Sequence, residues 1–225
     1  MDPQPRTDEY SSSEESEESE GSPPPPDPRY KTTPPPPFID RARVDHVLDG
    51  LHQSIFNQAL LNVLSTDIAE ITFAQIMDGL PLKDVAFGTR AHRHKEIDEV
   101  AKHEKLSPEA LEKAITFRDD LDPVAIELPV EILQGYQSVP AGSQASKLPL
   151  VELVAVAIHR LAVLLFKLHK SFHRGQVLLG PRSPPAQQYP EGVAELPGYW
   201  ADDRIFGGVI LFERGECGTE ASKFT

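Results

Sequence analysis

Apolar positions are densest between Leu148 and Phe172, where the chain reads LPLVELVAVAIHRLAVLLFKLHKSF. On a helix at about 100° per residue, Glu152, His159, Arg160, Lys167, Lys170 and Ser171 share one narrow stripe, and nearly all the remaining circumference is apolar. A helix apolar on most of its surface is buried in a core or in lipid. A membrane span needs about 20 largely uncharged residues, and here His159 and Arg160 separate the apolar runs Leu153–Ile158 and Leu161–Phe166. The pattern predicts a central core helix.

Upstream, Val44, Val47, Leu48, Leu51, Ile55, Phe56, Ala59 and Val63 recur at three- and four-residue spacing, which predicts one amphipathic helix with a weak point at Gly50. Thr66 or Asp67 starts a second helix to about Met77, with Asp67 and Glu70 placed as in a capping box and Gly79 and Pro81 ending it. The stretch Leu82–Lys105 is highly charged and reads as a third, solvated helix. In Leu106-Ser107-Pro108-Glu109, Ser107 is an N-cap, Pro108 a first helical residue, and Leu106 a staple onto Leu111. That helix runs to about Asp120. Pro123 and Pro129 bracket irregular chain, a short helix fits Val130–Tyr136, and Ser138–Ser146 is a linker.

Beyond the apolar stretch the rhythm changes. Strand-forming runs around Gly198-Tyr199-Trp200 and over Ile205–Phe212, with Asp202-Asp203 as a turn, predict a β-hairpin packed on the helical body. Gly207-Gly208 suggests a bulge. The expected fold is mainly α, a helical bundle around the central apolar helix, with a small C-terminal β-hairpin and a disordered N-terminal tail. The divisions are a tail over 1–38, a helical region over 39–137, a linker over 138–147, the core helix over 148–174, and extended chain with the hairpin over 175–225.

Composition sharpens the ends of this picture. Residues 1–40 hold ten Asp and Glu against three Lys and Arg, a net −7 of the chain's −13, together with eleven of its 22 prolines. Too few apolar side chains are present there to offset the entropy of ordering. Ser11 and Ser12 each have a glutamate three residues on, which suits an acid-directed kinase. The tetraprolines Pro23–Pro26 and Pro34–Pro37 read as stiff polyproline spacers first and ligands second. Such an acidic chain lacks the cationic footprint of a nucleic-acid binder. A single cysteine, Cys217, excludes an internal disulfide framework and fits a reducing compartment. No signal or transit peptide is recognisable at MDPQPRTDEY, so cytosol or nucleus is expected.

The C-terminal residues also carry a spaced pattern: Tyr189-Pro190-x-Gly192-Val193-Ala194, Gly198-Tyr199-Trp200-Ala201, Arg204-Ile205-Phe206-Gly207-Gly208-Val209, Leu211-Phe212-Glu213-Arg214-Gly215 and Gly218-Thr219-Glu220. This segment, about 30 residues of the chain, resembles the end of an uncharacterised family of proteins from filamentous fungi. The resemblance implies a chain that is helical in its middle, variable at its N-terminus and β-rich near the motif. It also implies a last element cut short, since related sequences continue past Glu220. It implies no activity, cofactor or ligand.

Candidate chemistry is sparse. His169 and His173 lie at i and i+4, a spacing used by zinc sites, but Lys170 stands where a metalloprotease motif has glutamate. Lys167, Lys170 and Arg174 around them read more simply as a basic helix end. His159 lies on roughly the same side, about 15 Å up the axis. The pairs His92/Glu96, His94/Asp98 and Glu99/His103 read as support for a solvent-facing helix. Cys217 has Glu213 and Glu216 beside it, which would raise its pKa and weaken it as a nucleophile. No phosphate loop, Gly-x-Ser-x-Gly elbow or dinucleotide fingerprint occurs, so no catalytic residue and no cofactor is assigned. Tyr199, Trp200, Phe206 and Phe212 are candidate binding aromatics, weighed against packing on the core.

These observations favour a non-catalytic protein-interaction module with protein partners. The alternatives are an enzyme of undescribed class using His159, His169, His173 or Cys217 near the core helix, and a nuclear regulator with an acidic tail.

Overall fold

In the computed structural model, which describes residues 39–87, 98–168 and 194–208, the first element is a short strand, β1 (Arg41–Arg43). It pairs antiparallel with β2 (Glu127–Pro129) in the register Arg41↔Pro129, Ala42↔Leu128 and Arg43↔Glu127. The Val44 amide donates to the Ile126 carbonyl at 3.1 Å and the Val130 amide to the Asp40 carbonyl at 3.0 Å. These bonds carry the ladder into the two helices that follow the strands, α1 (Val44–Val47) and α7 (Val130–Gln137).

The single helix expected over this first amphipathic stretch is broken. After α1 the chain turns extended at Leu48, and α2 (Gly50–Leu64) starts afresh. The physical reason is Asp49, whose carboxylate accepts the His52 amide at 3.0 Å and makes residue 49 an N-cap. Next comes α3 (Asp67–Asp78), capped by Thr66, whose hydroxyl accepts the Ala69 amide. Gly79 closes it with φ of 86°, a left-handed conformation that favours glycine. Glu70 does not fold back as a capping box. Instead it pairs with Arg118 on α6 (Pro108–Asp119).

Where one solvated helix was expected over 82–105, two short helices are described, α4 (Lys83–Phe87) and α5 (Asp98–Lys102). His103, expected on a solvent face, is buried instead. Its Nδ1 lies 3.0 Å from the Pro81 carbonyl and its Nε2 2.9 Å from Asp78 Oδ2. Asp78, fully buried at the end of α3, also accepts the Ser107 amide at 3.0 Å and the Ser107 hydroxyl at 2.7 Å. Ser107 and Pro108 do begin α6 as expected, but the Ser107 hydroxyl serves Asp78 rather than the helix end, and Leu111 stays exposed.

A 3-10 turn at Pro123–Ala125 leads into β2 and α7. Turns through Gly142 then lead into α8 (Lys147–Leu168), the apolar stretch. Its buried residues, from Leu153 through Leu165, pack against α2, α3, α7 and α9 (Glu195–Phe206). By length and composition α8 is sufficient to cross a membrane, and half of its most apolar window is buried within the fold. The described residues are thus mainly helical, with one two-stranded antiparallel sheet.

The expected hairpin is replaced by a helix over 195–206. Pro197 sits in the first turn of α9, where a missing amide hydrogen costs little. Asp202, read from sequence as a turn residue, points into the protein. Gly207, expected in a bulge, ends the helix with φ of 80°. The rest of the hairpin, from Val209 to Phe212, lies outside the described residues.

Asp78 ties three groups across α3 and the start of α6. Asp78→Ala is expected to destabilise the protein by about 3 kcal/mol or more, because the buried donors lose their acceptor. Urea unfolding measures this. Asp45→Ala, which removes an exposed ion pair with Arg43, should leave the midpoint in place.

Candidate functional site

His159 projects from α8 toward α9 and meets two carboxylates. Its Nδ1 donates to Asp202 Oδ2 at 2.8 Å and its Nε2 to Glu195 Oε2 at 2.7 Å. Glu195 and Asp202 are seven residues apart, so α9 presents both on one face, two turns from each other. Both are buried, and the His159 side chain is 20% exposed.

The close approach has a requirement in α9. A Cβ on Gly198 would lie 2.5 Å from His159 Nε2, so any side chain at that point would have to displace the imidazole. The next residue, Tyr199, sets its ring edge-on to the imidazole with centroids 4.8 Å apart. Burial by itself would push the His159 pKa down. The hydrogen bonds and charges of Asp202 and Glu195 outweigh it and raise the imidazole to about 9.

Two other histidines, both buried, also have both ring nitrogens facing acceptors. His52 has Nδ1 at 2.7 Å from Asp49 Oδ1 and Nε2 at 2.8 Å from the Val139 carbonyl, with Tyr136 packed edge-on. Burial opposes its charge, but the carbonyl and the carboxylate prevail and raise its pKa. His103 faces the Pro81 carbonyl and Asp78. In each case both ring nitrogens meet acceptors. A general base needs a free nitrogen within reach of a substrate proton, and none of these three rings offers one. They act as fasteners between segments.

Of the aromatics singled out from sequence, Trp200 and Phe206 pack against the core from α9. Tyr199 is the more exposed one, and Phe212 lies outside the described residues. So do His169, His173, Cys217, Ser11 and Ser12. Among the described residues no cluster of His, Cys, Asp and Glu is arranged to hold a metal ion. Glu195, Asp202 and Gly198 were missed as partners of His159. Carboxylates seven apart were a signal, but only on a helical reading of this segment.

The larger feature is an open groove of about 790 Å³ between α6 and α8, closed at one end by the chain around the 3-10 turn. Its floor is apolar, built from Met77, Phe117, Leu121, Ile126, Leu161 and Leu164. Its rim holds Glu109, Glu112, Asp120 and Asp122, with Lys113 as the basic lining residue. Lys113 pairs with Glu109 at 3.0 Å. The charged lining residues thus stand on α6 and the chain after it, with their carboxylates on exposed positions, and the buried lining residues are apolar. That geometry suits an apolar surface pressed in from outside better than a small polar substrate.

Two outcomes test the clamp. Because the folded pKa of His159 lies above its ordinary 6.5, its contribution is fully present below about pH 6.5 and is lost as pH rises toward 9. The loss amounts to about 3 kcal/mol. His159→Gln should flatten most of this slope in urea titrations, leaving the same-sign part from His52. Gly198→Ala should cost about 1–3 kcal/mol. The same change should return the His159 titration, followed by NMR, toward its ordinary value as the ring is displaced.

No protein-family model, no curated protein and no solved structure matches this chain.

Proposed function

We propose that the chain is a non-catalytic protein-interaction module of the cytosol or nucleus, soluble rather than membrane-spanning. The single observation that supports this reading most is the groove between α6 and α8, with its apolar floor open to the outside. A cleft with apolar walls and exposed charges beside it can receive apolar side chains of another protein. The engaged ring nitrogens of His52, His103 and His159 weigh against the enzyme alternative, since a base at any of them would first have to break a buried hydrogen bond.

The acidic, Pro-rich tail belongs to the same proposal, as a second recruiting segment whose charge kinases deepen at Ser11 and Ser12. Kinship with the filamentous-fungal family is likewise proposed. It rests on the Gly198-Tyr199-Trp200-Ala201 pattern, in which Gly198 gives His159 room and Ala201 is fully buried.

Crosslinked capture from cell extract followed by mass spectrometry tests the reading. The baits are the full chain, the full chain with a scrambled tail, and Leu164→Lys. Expected is at least one protein recovered with the full chain whose yield falls about tenfold or more on Leu164→Lys, because a charge has entered the apolar floor. A full chain that captures nothing above beads would remove the proposal.

A further inference from the structure

We propose that the groove between α6 and α8 receives a basic amphipathic helix from a partner protein, an inference that rests on the interaction reading above and names the chemistry of the partner. Three features converge on it. The first is length. The α6 wall spans Pro108–Asp119, 12 residues, or about 18 Å at 1.5 Å per residue. This matches about three turns of a docked helix, enough for apolar anchors at i, i+3 or i+4, and i+7.

The second is the division of polarity. Leu161 and Met77 at the bottom are buried, while Phe117, Leu121 and Leu164 are half-buried and form the part a partner would touch. Seating apolar anchors on these three would remove water from them, which favours association against its entropic cost. Among the described lining residues the carboxylates are all on exposed positions and the buried ones are all apolar, which leaves little to direct a small polar ligand.

The third is charge. Four carboxylates on the rim face one lysine, and that lysine is already paired with Glu109. Glu112 on α6 and Asp120 and Asp122 in the chain that follows it are all exposed. A helix with lysine or arginine flanking its apolar stripe places those cations against this rim. An acidic helix of the same apolar pattern is repelled. The rim therefore sets which helix enters and how fast, and the floor holds it.

The probe is a pair of synthetic helical peptides of about 18 residues, each with leucines at the i, i+3, i+4, i+7 spacing. One carries lysines at its polar positions and the other glutamates. Binding to the full chain is read by fluorescence anisotropy at about 0.15 M salt and again at higher salt. Since the chain is acidic throughout, Glu112→Lys/Asp122→Lys and Leu164→Lys are measured alongside, each checked by circular dichroism to be folded. The rest of the chain's charge is common to all of them.

Expected is a lysine peptide bound at least about tenfold more tightly than the glutamate peptide. The preference should fall about fivefold or more on rim reversal, and binding of the lysine peptide should be lost on Leu164→Lys. Lysine-peptide binding unchanged by both variants reflects overall charge alone and overturns the proposal. Equal binding of both peptides, lost on Leu164→Lys, keeps the groove as an interaction site and overturns the basic partner. Neither peptide binding, with concentration-dependent self-association abolished by Leu164→Lys, assigns the groove to a second copy and likewise overturns it. Neither peptide binding without self-association overturns it outright, and capture of a protein by the full chain would still leave the broader reading standing.

Discussion

A helix with apolar side chains around most of its circumference has to be covered, and α8 imposes that requirement on its neighbours. Leu153, Ala157, Ile158, Leu161 and Leu165 are essentially removed from water, and helices from three separate stretches of chain, α2, α3 and α7, lie against it together with α9. Each fully buried Leu or Ile of this kind contributes roughly 1.5–3 kcal/mol of apolar transfer. The narrow polar stripe of α8 is then the place where specificity enters, because a charged or titratable group there must find a partner or reach water.

His159 is that group, and α9 answers it. The amphipathic character of α9 is weak, and Trp200, Ile205 and Phe206 are only half-buried. Its orientation against α8 is given by two carboxylates on one imidazole and by a glycine beneath the ring. Such directional bonds contribute less net stability than burial does, but leaving them unmade is costly, so they favour one docking over others. Asp78 with His103 and Ser107, and Asp49 with His52 and Gln137, repeat the device at two other junctions. His159 and His103 join separate segments through carboxylates, whereas the His52–Asp49 pair is local and reaches the end of α7 through the Val139 carbonyl and Gln137.

The groove is the counterpart of this arrangement. Because α8 is apolar nearly all round, it brings Leu161 and Leu164 to the groove, where Leu164 stays half-buried beside Phe117 and Leu121 among the described residues. An interaction protein needs such an open face, whereas an enzyme needs polar groups converging on a reacting atom. His52, His103 and His159 are bonded within the fold, and the carboxylates of the groove are exposed.

Local signals in the chain determined the helices with strong periodicity or strong punctuation. Ser107-Pro108 started α6, Thr66 and Gly79 bounded α3, and the apolar run of residues 148 to 168 became α8. Those features act within one or two turns, so sequence order alone reveals them. Tertiary structure decided the rest. The strand Arg41–Arg43 exists because Glu127–Pro129, more than eighty residues away, supplies its hydrogen bonds. The segment from Glu195 to Phe206 has residues acceptable to strand or helix, and it is helical where Glu195 and Asp202 can both reach His159 only from positions two turns apart. Likewise, whether an apolar side chain is core or groove depends on which neighbour covers it. That is a property of distant segments meeting, and no local pattern encodes it.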